Sequence, residues 1–273
     1  MTRSSTQALP RRCAVIGDPI AHSKSPYLHS QFALQTGIAL RYDNVRLNAD
    51  EVQPWVKAFF AEGGVGLNIT LPHKERAFAL ADVVRPRAKM AGAANTLGVD
   101  ERGLIWADNT DGVGLVNDLQ RLGVSLKDKK VLLAGAGGAA MGLLPALLAA
   151  NVAHIALLNR TREKAAQIVN QCQHSAIHLY SEELSTPDIL ISTVSMGLAE
   201  LIQEQKTLSA PSVAYDLNYG TRAEAFIELM QKWPVPSVFT GSGMLIEQAA
   251  ESFYLWHGVR PDTAPLHAQG LPA

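Results

Sequence analysis

Cysteine is scarce in this chain: Cys13 and Cys172 are the only two, too few and too far apart for a disulfide framework or a thiolate zinc site. Both are expected to be neutral thiols, and no metal is expected. There is also no excess of charge of either sign, since 24 lysines and arginines face 25 acids. Such a balance lacks the electrostatic footprint of a nucleic-acid binder or of a polybasic membrane anchor, which leaves a small molecule as the expected partner. No apolar run reaches the ~18 residues of a membrane-spanning helix, and Met1 to Arg12 lack the apolar segment of a signal peptide. A cytoplasmic protein with a frayed N-terminus is expected. Internal repeats and low-complexity linkers are missing as well.

What is present is enough for two modest cores. At 273 residues the chain lies near the ~250–300 at which single cores stop growing, so two lobes are expected. Cys13 to Ile16 reads as a buried strand ending at Gly17-Asp18-Pro19, and Ser25-Pro26 as an N-cap with proline at the first helical position. A second strand through Tyr42, Val45 and Leu47, a helix from Val52 to Phe60 and a strand from Val65 to Ile69 continue the rhythm. Leu97–Val99 and Leu104–Ala107 flank the turn Asp100-Glu101-Arg102-Gly103 and predict a hairpin. After Asp111 an apolar-periodic helix closes the first lobe. The strand Val131–Ala134 opens the second, and further runs at Ile155–Leu158, Ile189–Ile191, Val213–Tyr215 and Val238 alternate with helices. A final helix spans Met244 to Trp256, and Pro145 predicts a kink rather than a break. Strands alternating with helices imply an α/β fold with mainly parallel sheets.

Gly135-Ala136-Gly137-Gly138-Ala139-Ala140 follows a strand, opens a helix and fits the dinucleotide fingerprint G-x-G-x-x-G/A. Glycine there permits a tight turn and close approach of backbone to pyrophosphate, which the helix amides then meet. At the end of the next strand come Asn159-Arg160-Thr161-Arg162. NAD enzymes place an acid here to accept from the ribose 2′-hydroxyl, whereas arginine suits the 2′-phosphate of NADP. Asn159 stands where the acid would, and Arg160 offers a permanently charged fork, so NADP is the expected cofactor.

Polar groups also concentrate on three loops of the first lobe: Ser23-Lys24-Ser25, Asn68 to Lys74, and Asn95-Thr96 with Asp108 to Asp111. Loops at strand ends carry chemistry more often than packing. Oxidising a secondary alcohol needs a group to take the hydroxyl proton as hydride leaves, and a lysine–aspartate pair, Lys74 and Asp111, suits that task. Both also stand at helix starts, where either has an ordinary structural use. Which of them is the formal base stays open.

Taken together, several blocks resemble those of the shikimate dehydrogenase family. They are Gly17-Asp18-Pro19-Ile20-Ala21-His22-Ser23-Lys24-Ser25-Pro26, Asn68-Ile69-Thr70-Leu71-Pro72-His73-Lys74, Gly92-Ala93-Ala94-Asn95-Thr96 and Asp108-Asn109-Thr110-Asp111-Gly112. The glycine loop, Asn159-Arg160-Thr161, and Gly241-Ser242-Gly243-Met244-Leu245 with Gln248-Ala249-Ala250 follow in family order, so the likeness covers nearly the whole chain. It implies reversible NADPH-dependent reduction of 3-dehydroshikimate to shikimate, a step of aromatic amino-acid and chorismate biosynthesis. It further implies that Ser23 and Ser25 hold the substrate carboxylate, that Thr70, Asn95, Tyr219 and Gln248 contact the substrate, and that Lys74 and Asp111 are catalytic. Gly135, Ala136, Gly137, Gly138, Ala139, Asn159, Arg160, Thr161, Leu217 and Gly241 would line the cofactor site. The implied fold has a substrate domain, 1–111 plus 244–273, and a Rossmann-type NADP domain, 112–243, with a cleft that opens and closes, in a monomer or homodimer. Three departures bear on NADP affinity: Ala140-Met141 where the family often has Ser-Arg, Ser192-Thr193-Val194 where it has Asn-Ala-Thr, and Lys164 where it often has arginine. The rival readings are an NAD-preferring quinate/shikimate dehydrogenase and a non-catalytic sensor that keeps the site. Arg160 argues against the first, and retention of Lys74 and Asp111 against the second.

Overall fold

Short apolar runs rich in valine, isoleucine and leucine become the strands of two separate sheets in the computed structural model, which describes residues 9–194 and 196–272. Two units result. One comprises the chain up to Lys89, Ala93–Thr110 and the chain from Ala249 onward; the other comprises Met90–Gly92 and Asp111–Gln248.

The first unit runs β1 (Arg11–Gly17), α1 (Ser25–Thr36), β2 (Leu40–Arg46), α2 (Val52–Ala61), β3 (Gly64–Ile69), α3 (Lys74–Leu80), β4 (Val83–Val84), α4 (Pro86–Ala91), β5 (Thr96–Val99) and β6 (Ile105–Asp108). Its sheet has the order β2-β1-β3-β5-β6-β4, with β2, β1 and β3 parallel. The expected hairpin is the antiparallel pair β5–β6, and β5 also runs antiparallel to β3. Ala14, Ile16, Leu67, Ile69, Leu97 and Ala107 form its core with Val52, Val56 and Phe59 of α2.

One sequence expectation needs correcting here, and another falls outside the described residues. The frayed N-terminus concerns residues 1–8, which lie outside them; Arg11 and Arg12 pair with Leu40 and Arg41. Ser25 is not an N-cap. Lys24 holds that position, Ser25 is the first helical residue, and the Ser23 hydroxyl accepts from the Ser25 amide at 3.3 Å.

The second unit follows with α5 (Asp111–Arg121), β7 (Lys130–Ala134), α6 (Gly138–Ala149), β8 (His154–Leu158), α7 (Arg162–Cys172), β9 (Ile177–Leu179), β10 (Ile189–Ser192), α8 (Leu198–Gln203), β11 (Val213–Asp216), α9 (Glu224–Lys232), β12 (Ser237–Thr240) and the first part of α10 (Ser242–His257); the rest of α10, from Ala249, and α11 (Ala264–Gln269) belong to the first unit. Every strand pairing is parallel, in the order β12-β11-β10-β7-β8-β9. Such strands are buried on both faces, and side-chain alternation divides them cleanly. Val131, Leu133, Ile155, Leu157, Ile189 and Ile191 enter one core, while Leu132, Ala134, Ala156, Leu158 and Leu190 enter the other. Pro145 lies inside α6, which continues past it unbroken to Ala149. Counting from β7, strands are laid down first on one side and then on the other, which is the Rossmann order 3-2-1-4-5-6.

Candidate functional site

In the first unit the direction of strand addition reverses at β1, with β2 on one flank and β3 on the other. Open α/β sheets bind ligands beyond the carboxyl ends of strands at such a switch. The loop after β1 carries Ser23 and Ser25, and the one after β3 carries Thr70 and Lys74. Because Ile16 is in register with Ile69, the two loops leave the sheet at the same level. Thr96 lies opposite both Asn68 and Asp108, so Asn95 and the segment Asn109-Thr110 reach that same edge.

Hydrogen bonds fix these loops. Thr70 N donates to Ile16 O and Asp18 N to Leu71 O, each at 3.0 Å, and the buried His73 ring donates from Nε2 to Leu47 O at 2.8 Å. Lys74, half-buried, is therefore the first residue of an anchored helix. Its carbonyl accepts from Ala94 N at 2.9 Å. The next residue, Asn95, donates from Nδ2 to Thr110 Oγ1 and accepts from Thr110 N, both at 2.9 Å. The backbone of Lys74 and the residue before Asp111 are thus tied to two consecutive residues.

Behind this edge stands Asn68, to which the sequence reading assigned no role although it opens one of the family blocks. Its Oδ1 accepts from Tyr42 Oη at 2.8 Å and His29 Nε2 at 3.1 Å, and its Nδ2 donates to Ser252 Oγ at 3.0 Å. Burial pushes the His29 imidazole pKa down to about 3, aided by His257 and opposed by the Asn68 bond. Burial likewise raises the Tyr42 phenol well above its ordinary value, the neighbouring Cys13 adding to it and a hydrogen bond with Ser25 opposing it. Cys13 is itself pushed up to about 12 by burial, as expected of a neutral thiol.

In the second unit all strands point the same way, so one edge receives every carboxyl end. Gly135 follows β7, Asn159-Arg160-Thr161 follow β8, Thr193 follows β10, Leu217 and Tyr219 follow β11, and Gly241 follows β12. Gly135 has φ +112° and its α-carbon faces the Thr193 hydroxyl, which donates to Ala134 O at 3.0 Å. Thr193 braces the glycine loop, a role no local motif reveals because it comes from the loop after a different strand. Ala136 and Gly137 lead into α6, whose first turn holds no acid, and beyond the adjoining backbone no protein atom lies within 4 Å of where a Cβ on Gly137 or Gly138 would be. Asn159 donates from Nδ2 to Thr161 O at 2.8 Å, shaping the turn that leaves Arg160 exposed. Asn218, also missed, donates to Val194 O at 3.2 Å and accepts from Gly241 N at 2.9 Å, joining the loops after β10, β11 and β12.

Asp111 opens α5, and Gln248 belongs to α10. The two helices touch through Gly114, one turn beyond Asp111: a Cβ there would stand 2.7 Å from Gln248 Cβ and 2.8 Å from Gln248 N. Gln248 Nε2 donates to Leu245 O at 2.8 Å. Burial raises the Tyr219 phenol above its ordinary value, with Arg222 opposing. Among the described residues no cluster of three or more metal-ligating side chains occurs, and no helix is long and apolar enough to cross a membrane.

Known proteins agree with this arrangement. Sequence models of the shikimate dehydrogenase substrate binding domain, of shikimate / quinate 5-dehydrogenase and of the shikimate 5′-dehydrogenase C-terminal domain match residues 15–97, 118–212 and 241–269. Shikimate dehydrogenase (NADP(+)) of Alkalilimnicola ehrlichii is 45% identical over 96% of this chain and 98% of its own. Among solved structures, the Ael1 enzyme from Pseudomonas putida superposes with a TM-score of 0.85 at 37% identity, covering 96% of this chain and 99% of that one. Shikimate 5-dehydrogenase from Thermus thermophilus, in complex with NADP(H) and shikimate, has a TM-score of 0.82 at 30% identity, over 94% of this chain and 97% of that one. With three consecutive domain models, a near-full-length relative and the same two-unit α/β architecture all converging, this chain belongs to the shikimate dehydrogenase family.

Proposed function

We propose that this chain catalyses the reversible NADPH-dependent reduction of 3-dehydroshikimate to shikimate, with Lys74 and Asp111 moving the proton. The observation that carries it is the shared anchorage of that pair: Lys74 O bonds Ala94 N, while the residue preceding Asp111 is bonded twice to Asn95.

The second unit suits a 2′-phosphorylated dinucleotide. Open space over Gly137 and Gly138, an acid-free first turn of α6 and the exposed Arg160 match a pyrophosphate and a further phosphate. NADPH, when bound, supplies the hydride. Gly135 to Ala139 hold the pyrophosphate, Asn159, Arg160 and Thr161 receive the adenosine 2′-phosphate end, and Leu217 and Gly241 line the remainder. Ser23 and Ser25 orient the substrate carboxylate, and Thr70, Asn95, Tyr219 and Gln248 hold the ring. Tyr219, its phenol pKa raised by burial, acts as a neutral hydroxyl donor. As the carbonyl carbon accepts hydride, its oxygen takes a proton from the Lys74 and Asp111 pair, and the reverse direction returns that proton to them. Residues 1–111 with 244–273 form the substrate domain and 112–243 the NADP domain of a cytoplasmic monomer or homodimer.

Steady-state rates with shikimate and quinate, each crossed with NADP and NAD, test this reading. The highest kcat/KM is expected for shikimate with NADP. A preference for NAD overturns the cofactor assignment, faster turnover of quinate overturns the substrate, and no turnover with any pair leaves the sensor.

A further inference from the structure

Arg87, on α4, belongs to none of the family blocks. Its Nε and Nη2 donate to the two oxygens of Asp108 at 2.9 and 2.6 Å, and its Nη1 donates to Glu251 Oε1 at 2.9 Å. Glu251 Oε2 accepts from Arg260 at 2.7 Å, and Arg85 approaches Asp108 at 3.4 Å with its guanidinium over Trp106. Asp108 is 1% exposed. Burial alone would lower the Arg87 pKa; the bonds and charges of Asp108 and Glu251 outweigh it, and the net shift is upward.

These two carboxylates flank two of the places where the chain passes between units, at Thr110/Asp111 and at Gln248/Ala249. From Asp108 to the first crossing no side chain is loose. Asp108 Oδ1 accepts from Asn109 N at 2.8 Å, Asn109 Nδ2 donates to Ala93 O at 3.1 Å, and Thr110 is held by Asn95. After the second crossing, Ser252, next to Glu251, bonds Asn68 Nδ2 at 3.0 Å and Thr96 Oγ1 at 2.9 Å. One planar fork therefore grips both segments, three donors engaging two carboxylates at once, a geometry that a lysine ammonium does not reproduce.

We infer that Arg87 is a positioning residue for the reaction: by clamping the segment that leads into Asp111 to the segment that leads out of Gln248, it sets where those two side chains are presented. The inference rests on the proposed roles of Asp111 and Gln248.

The test compares Arg87→Met, Arg87→Lys and Asp111→Asn in the full chain. Misplacement of a reacting group by about 1 Å costs on the order of 10²-fold, so Arg87→Met should lower kcat roughly 10- to 100-fold. It should also displace the pH profile of kcat/KM for shikimate while leaving the NADP KM unchanged, and Arg87→Lys should recover only part of the loss. A merely structural role would lower the melting temperature without moving the pH profile. If Arg87→Met does not fold because two carboxylates lose their shared partner, Arg87→Met/Asp108→Asn removes one of them, and Arg87→Lys carries the same readouts. Wild-type kcat and an unmoved profile in folded Arg87 variants overturn the inference. Should Asp111→Asn itself turn over like wild type, the reading of Asp111 falls instead; an inactive Asp111→Asn beside unaffected Arg87 variants overturns the clamp alone.

Discussion

His29 gives its Nε2 proton to Asn68 and stacks on Tyr42 with ring centroids 4.3 Å apart, while its buried Nδ1 has no hydrogen-bond partner. Burial penalises the charged ring and His257 adds to that penalty, and together they outweigh the Asn68 bond and lower the pKa from 6.5 to about 3. With the folded value depressed, the unfolded chain binds a proton below pH 6.5 that the folded chain refuses until about pH 3. Stability contributed by the neutral ring is therefore complete above that range and falls with pH inside it, by up to about 1.4 kcal/mol per pH unit. His257, lowered by burial and by Arg11 to about 4, acts in the same direction. Urea melts at pH 7 and pH 5 should show a shallower loss of stability in His29→Gln than in wild type. Equal losses in both would remove His29 from the account.

The unit of design one level up is a strand, the loop at its carboxyl end and the helix that follows. In β7, alternation sends Val131 and Leu133 to one core and Leu132 and Ala134 to the other, and the strand delivers Gly135 where β10 delivers Thr193. Gly135 at φ +112° occupies backbone space that costs a side-chain-bearing residue about 1–3 kcal/mol, and a methyl there would also meet the Thr193 hydroxyl. Gly137 is different: its surroundings are open. Gly135→Ala should accordingly lower both the melting temperature and NADPH affinity, whereas Gly137→Ala should keep the melting temperature and weaken NADPH roughly tenfold or more, a difference of about 1.4 kcal/mol. Thermal melts paired with NADPH fluorescence titration separate the two. A melting temperature equally reduced in both variants would contradict this division of labour.

At the scale of the whole molecule, Lys74 belongs to one unit and Asp111 is the first residue of the other after the Thr110 crossing. Neither belongs to a hydrophobic core cluster, so replacing either should leave folding intact while the reaction fails. Lys74→Ala is expected to lower kcat by roughly 10²–10⁴ with little change in the melting temperature, as for loss of a proton-transferring group. Near-wild-type turnover in that variant would remove Lys74 from the chemistry.

The sequence by itself determined the alternation of strand and helix, the glycine loop, the absence of an acid beside Arg160 and the polar loops at strand ends. All of these are local: a 2-residue or 3.6-residue period and a turn chemistry operate within about ten residues. Even locally it misassigned the start of α1, because Ser25 bonds with Tyr42, a residue of β2, rather than capping its own helix. Only the tertiary structure decided that Thr193 braces Gly135, that Asn68 gathers His29, Tyr42 and Ser252, and that Arg87 grips Asp108 and Glu251. Each of those contacts joins residues that no periodicity relates, and a hydrogen bond or ion pair is specified only once the sheet order has brought its two ends within about 3 Å.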